Sequence, residues 1–177
     1  MSRRIRDLEP HVQGVAGDWL RLCGAKGVPV LVYCTKRTLS EQLALWKKGR
    51  ELKPGEDPAK ASSWVRTPGC RIVTKARPGS SFHNYGLALD AAPYEFLVER
   101  DLTIAKKLDW TPFASKADET AFRDTGGLGY LDKRWRVMVE AADEVGLEWA
   151  GRWPRFIEYV HFQLTAGVTL AELRSNA

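Results

Sequence analysis

The stretch Ser81-Phe82-His83-Asn84-Tyr85-Gly86-Leu87-Ala88-Leu89-Asp90 decides the reading of this chain, because it sets a histidine and an aspartate around a glycine turn and a short apolar run. Far downstream, Glu158-Tyr159-Val160-His161 supplies a second histidine with a carboxylate three residues before it. Two neutral imidazoles and a carboxylate form the ligand set of a hydrolytic zinc centre that keeps a fourth position for water. On that reading the remaining carboxylate, Glu158, is the proton acceptor for the water. The third histidine, His11, has no such surroundings and reads as a residue without a role in the site.

Working outward, 177 residues with 44% hydrophobic content suit one domain spanning 1–177, with no second binding module expected. Lys+Arg 27 against Asp+Glu 22 gives a net charge of +5, a mild bias toward anionic partners. The basic N-terminus is followed by no apolar run of signal-peptide length, and no segment suits a bilayer span, so neither a secretory signal nor membrane insertion is expected. Cys23, Cys34 and Cys70 are odd in number and lack C-x-x-C spacing, which argues against a disulfide framework or a thiolate zinc site.

The elements follow from period and punctuation. Apolar positions at Leu8, Val12, Val15, Trp19 and Leu22 predict a helix over 8–23, and the β-rich run 28–34 a strand. Thr38-Leu39-Ser40-Glu41 has the form of a capping box, opening a helix that Gly49 ends. Residues 50–69 are rich in Pro, Gly, Ser and charge and read as a long surface loop of the kind that forms a lid. Short strands are expected at 71–74 and 87–92, and helical pieces at 97–108 and 117–123, the latter closed by Gly126-Gly127. Asp132 is placed to cap a helix carrying Trp135, Val139 and Ala142 that Gly146 terminates. A final strand holds His161 and Gln163, so Glu158 must lie in the turn entering it.

Taken together these residues resemble a family, the zinc peptidases of the D-Ala-D-Ala carboxypeptidase and dipeptidase group, and within it the L-alanyl-D-glutamate endopeptidases of phage endolysins and bacterial autolysins. The resemblance rests on Ser81-x-His83-x-x-Gly86-x-Ala88-x-Asp90 and Glu158-x-x-His161-Phe162-Gln163. It rests equally on Arg37-Thr38-x-x-Glu41-Gln42 and Gly146-Leu147-x-Trp149-x-Gly151-x-Trp153. Each block is modest, and the ordered set is specific.

The resemblance implies an α+β fold of the Hedgehog/DD-peptidase-like zinc peptidase type, a small, mainly antiparallel sheet flanked by helices. It implies zinc held by His83, Asp90 and His161, Glu158 as the catalytic base, and Arg37, Gln42 and Ser81 as substrate-binding residues. Glu158 stands where the endopeptidase branch usually carries Asp and the dipeptidase branch Glu. The implied activity is hydrolysis of the L-Ala-D-Glu bond of the peptidoglycan stem peptide. The alternatives are a D-Ala-D-Ala dipeptidase or carboxypeptidase and a non-catalytic zinc-binding module of the same fold. The expected setting is a monomeric phage endolysin, kept in the host bacterial cytoplasm until release to the wall. A nucleic-acid binder is suggested only by the pI of about 9.2, and no nucleic-acid motif supports it.

Overall fold

The structure, a computed structural model, describes residues 1–98 and 104–176. Its organising element is the strand β4 (Ala88–Val98), which begins inside the histidine motif. On one side it pairs antiparallel with β1 (Val30–Cys34), on the other with β7 (His161–Gln163), which in turn pairs with β6 (Glu148–Trp149). Cross-strand partners share a face of a sheet. The pairs Asp90↔His161 and Cys34↔Asp90 therefore gather on one face, while Leu89↔Phe162 points to the other. Alternation along three strands thus separates chemistry from core.

The apolar face is covered by two helices, α1 (Pro10–Ala25) and α4 (Lys133–Val145). Pro10 occupies the first turn of α1, where its missing N–H costs nothing. Asp132 caps α4 by accepting from Arg134 N, and Gly146 ends it in the left-handed conformation. Trp19, Trp135, Met138, Leu89 and Phe162 are fully buried between helices and sheet. Trp19 packs 4.6 Å from Phe162, centre to centre, and its indole N–H donates to the Met138 carbonyl at 2.9 Å. Burial of each such side chain contributes about 1.5–3 kcal/mol, so this seam fixes the sheet that carries the site. Among the described residues no helix is long and apolar enough to cross a membrane.

The mixed helix and antiparallel-sheet architecture agrees with the expected α+β class. The capping box of α2 (Leu39–Lys47) forms as read, with Thr38 accepting from Glu41 N and Glu41 from Thr38 N. The helix α3 (Lys116–Thr125) also forms, closed by Gly126.

Three expectations are corrected. Residues 50–69 are not one loop, because β2 (Arg50–Leu52) and β3 (Trp64–Arg66) pair as a separate antiparallel ribbon. That ribbon is docked by Trp64 against Trp46 of α2 at 5.9 Å, and strands of three residues are too short to leave a sequence period. The expected strand at 71–74 is irregular, since among the described residues no strand pairs with it and the Thr74 carbonyl accepts from the Arg50 side chain instead. The expected helix at 97–108 is replaced by β5 (Ile104–Leu108) pairing with the far half of β4; its stretch 99–103 lies outside the described residues. Phe96, Leu97 and Ile104 are exposed there, so their helix-like spacing reflected no buried face.

Candidate metal centre

His83 reaches the open face of the sheet from a single helical turn, Phe82–Tyr85, that precedes β4. Gly86 ends this turn with a φ of 72°, and a Cβ there would lie 3.0 Å from the backbone nitrogen of Glu9. Only glycine satisfies both the left-handed backbone and that approach. Arg37 N donates to the His83 carbonyl at 2.9 Å, tying the turn to the chain after β1.

Three donor atoms converge. His83 Nε2 is 3.1 Å from Asp90 Oδ1 and 3.2 Å from His161 Nδ1, and the third side, His161 Nδ1 to Asp90 Oδ1, is 3.3 Å. Ligands about 2.0 Å from a tetrahedral zinc are separated by about 3.3 Å, so this triangle has the dimensions of one face of such a site.

The far sides of both rings are occupied. His83 Nδ1 lies 2.6 Å from the Thr35 carbonyl, to which it can only donate. Gln163 donates its amide to Glu148 at 2.7 Å, which turns its carbonyl oxygen toward His161 Nε2 at 3.2 Å. Each imidazole is thereby held with a bare nitrogen facing Asp90, an arrangement of three acceptors that a cation resolves. In the metal-free protein a proton takes the place of that cation: burial works to lower the basicity of His83 but is outweighed by the Asp90 carboxylate, which pushes it up to about 10. Asp90 is opposed by burial too, yet His83 and His161 hold it far below the carboxylate range.

A second trio, Cys34, His83 and Asp90, also brings one donor atom from each within 4.8 Å. Its sulfur is 3.8 Å from His83 Nδ1, the nitrogen already facing Thr35, and accepts from Arg37 Nη2 at 3.3 Å. Cys34 thus approaches the back of the ring, and the His83, Asp90 and His161 triangle is the better cation site.

Glu158 occupies the irregular segment entering β7, with its Oε2 3.9 Å from His161 Nδ1. Burial raises its pKa, and so does Asp90, while His161 opposes the shift. Its neighbour Tyr159 is clamped from two directions. The Trp149 indole donates to the Tyr159 carbonyl at 2.5 Å, and the Tyr159 hydroxyl donates to Glu119 of α3 at 2.6 Å. Hydrogen bonds from Lys116, Tyr159 and Arg123 depress Glu119 to about 2. A depressed carboxylate contributes stability above its ordinary value near 4.5 and loses it as pH falls through the folded value. In an NMR titration Glu119 is expected to titrate near 2, with Tyr159 shifting in step. A midpoint near 4.5 would remove the clamp from the account.

The three residues expected to touch substrate are placed differently. Arg37 and Ser81 line the cleft of about 630 Å³ above the donor triangle. Gln42 does not line it: fully buried, it accepts from Arg37 Nη1 at 2.7 Å and donates to the Ala76 carbonyl at 2.7 Å. Its geometry is that of a strut behind Arg37, whose Nη2 is also 3.5 Å from Asp90 Oδ2. Trp153 lines the cleft, 5.4 Å from the His161 ring, whereas Trp149 belongs to the core. No residue of 50–69 contributes to the cleft wall, so the ribbon is no lid in this structure. Sequence reasoning missed Gln163 and Glu148 as supports. The signal was the two-residue spacing of His161 and Gln163, which puts both on one face of β7.

An antiparallel sheet presenting two histidines and an aspartate on its open face, with a free carboxylate beside them, defines a metallopeptidase. The chain belongs to the M15 peptidase family, for residues 74–164 match the family profile described as D-alanyl-D-alanine carboxypeptidase. It is 32% identical over 158 residues to the peptidoglycan L-alanyl-D-glutamate endopeptidase CwlK of Bacillus subtilis strain 168, a match covering 89% of this chain and 74% of that protein. The crystal structure of the Serratia marcescens L-Ala D-Glu endopeptidase ChiX is similar at 19% identity and a TM-score of 0.44, covering 91% of this chain and 83% of that one.

Proposed function

We propose that this chain is a zinc-dependent endopeptidase of peptidoglycan that hydrolyses the L-Ala-D-Glu bond of the stem peptide. The observation that carries the reading is the donor triangle of His83, Asp90 and His161 with Glu158 beside it, in a chain 32% identical to a peptidoglycan endopeptidase. His83, Asp90 and His161 would hold zinc, which supplies Lewis-acid polarisation of the scissile carbonyl and makes water more acidic.

The protein's own residues do the rest. Glu158, its proton affinity raised by burial, takes a proton from the attacking water and returns it to the leaving amine. Arg37, braced by Gln42 and 3.5 Å from Asp90, keeps a positive charge in the cleft wall, where it favours negative charge developing on the carbonyl oxygen. Ser81 contributes a hydroxyl to the same wall. Thr35 and Gln163 keep the two imidazoles in the tautomers that the donor triangle requires. An endolysin setting, with release from a host cytoplasm to the wall, is part of this proposal and rests on the sequence resemblance.

A second reading, release of terminal D-Ala, is favoured by the description of the matched family profile and by Glu158 in place of Asp. Digestion of purified peptidoglycan followed by amino-terminal labelling distinguishes the two. New N-terminal D-Glu is the expected product. Free D-Ala would establish the second reading, and new reducing ends without new amines would refute both.

A further inference from the structure

Two basic side chains line the cleft, Arg37 and Lys75, and their situations are opposite. Arg37 is buried and already engaged with Gln42, Cys34 and Asp90. Lys75 is exposed, and among the described residues no carboxylate pairs with it. Its ammonium lies 5.3 Å from the ring centre of Phe156, which also lines the cleft. Among the described residues the only carboxylates in the cleft wall, Asp90 and Glu158, are those grouped around the two histidines.

The position of Lys75 is fixed from both sides. Arg50 Nη2 donates to the Thr74 carbonyl at 3.1 Å, and Gln42 Nε2 donates to the Ala76 carbonyl at 2.7 Å. The buried strut that braces Arg37 therefore also anchors the backbone beside Lys75. Phe156 is held at a φ of 56°, a left-handed conformation that a side chain rarely adopts, and stays 39% exposed. Strained backbone of this kind persists where the surroundings demand a particular placement. An ammonium on an aromatic face has a weak partner that a carboxylate displaces.

We propose that Lys75 is a specificity-determining residue that binds the free α-carboxylate of the D-glutamate next to the scissile bond, exchanging the Phe156 ring for it. This inference rests on the proposed L-Ala-D-Glu endopeptidase activity, from which the substrate is taken. In a stem peptide D-glutamate continues the chain through its γ-carboxyl, which leaves the α-carboxylate on the carbon bearing the scissile nitrogen. Amidation of that carboxylate keeps its shape and removes its charge. An ammonium separates the two forms by charge, whereas a purely steric wall would accept both.

The test compares two synthetic peptides, L-Ala-γ-D-Glu-L-Lys and its α-carboxamide, with zinc-loaded wild type, Lys75→Met and Lys75→Arg. Wild type is expected to prefer the carboxylate by about tenfold in kcat/KM, the scale of one charge-assisted hydrogen bond. In Lys75→Met the ratio is expected to fall toward unity through KM for the carboxylate substrate, and Lys75→Arg is expected to restore most of it. The amide substrate serves as the internal reference for a folded enzyme in each variant. Equal cleavage of both peptides by wild type, or an undiminished preference in Lys75→Met, overturns the proposal. Cleavage of neither peptide by wild type overturns the endopeptidase reading itself, and this inference with it.

Discussion

Replacing Glu158 by glutamine is expected to leave the fold and the metal content intact while lowering kcat by about a hundredfold or more. The substitution keeps the shape of the side chain and removes its capacity to take a proton. Glu158 Oε2 is 3.9 Å from His161 Nδ1, outside the donor triangle whose sides are 3.1, 3.2 and 3.3 Å, so zinc retention should not depend on it. Backbone bonds hold the residue in place in either form, since Glu158 N donates to the Ala150 carbonyl and His161 N to the Glu158 carbonyl.

The pH dependence carries its own sign. Burial raises Glu158 above its ordinary 4.5, so the folded state favours the protonated form; the stability that proton gives is full below 4.5 and is lost as pH rises through the folded value. At pH 7 the metal-free glutamine variant should therefore have a Tm equal to or above that of metal-free wild type. Glu158→Asp withdraws the carboxylate by one methylene and is expected to keep partial activity. Wild-type turnover by Glu158→Gln would end the assignment of Glu158 as the base.

Legibility of this fold followed the range of the interactions. The capping box of Thr38 and Glu41, the Asp132 cap and the glycines closing α3 and α4 are settled within four residues, and each forms as read. The ribbon of β2 and β3 depends on Trp64 finding Trp46, which no local pattern announces. The strand β5 defeated periodicity because both it and the far half of β4 carry exposed apolar side chains, and its pairing Phe96↔Lys106 is decided by continuation of the central strand.

The site shows the same division. The motifs singled out His83, Asp90, His161 and Glu158, and the pairing of β4 with β7 brings the two halves together. The groups that orient the rings were hidden for different reasons. One is the backbone carbonyl of Thr35, which has no side-chain signature, and another is Glu148, which reaches His161 only through Gln163. The family resemblance implies Gln42 as a substrate contact; its burial and its bond to Arg37 place it behind Arg37.

The second large effect concerns the metal. Wild type is expected to bind one zinc per chain, and His83→Ala and His161→Ala are each expected to weaken binding by on the order of a hundredfold or more, because two ligands close only one edge of the triangle. Gln163→Ala removes the acceptor that orients His161 rather than a donor to zinc, so its loss should be smaller, about ten- to a hundredfold. His83→Ala should in addition lower Tm in the metal-free protein, since it empties a buried position and removes the short imidazole bond to the Thr35 carbonyl. His11, exposed on α1, is the control, and His11→Ala should match wild type in metal content. The decisive comparison is with Cys34, whose sulfur belongs to the competing trio with His83 and Asp90. Cys34→Ser keeps an acceptor for Arg37 and should retain zinc, as the approach of the sulfur to His83 Nδ1 places it behind the ring. Metal analysis after dialysis against a chelator checks the whole order. Zinc lost from Cys34→Ser but kept by His161→Ala would transfer the site to the cysteine trio and leave Glu158 without a water to deprotonate.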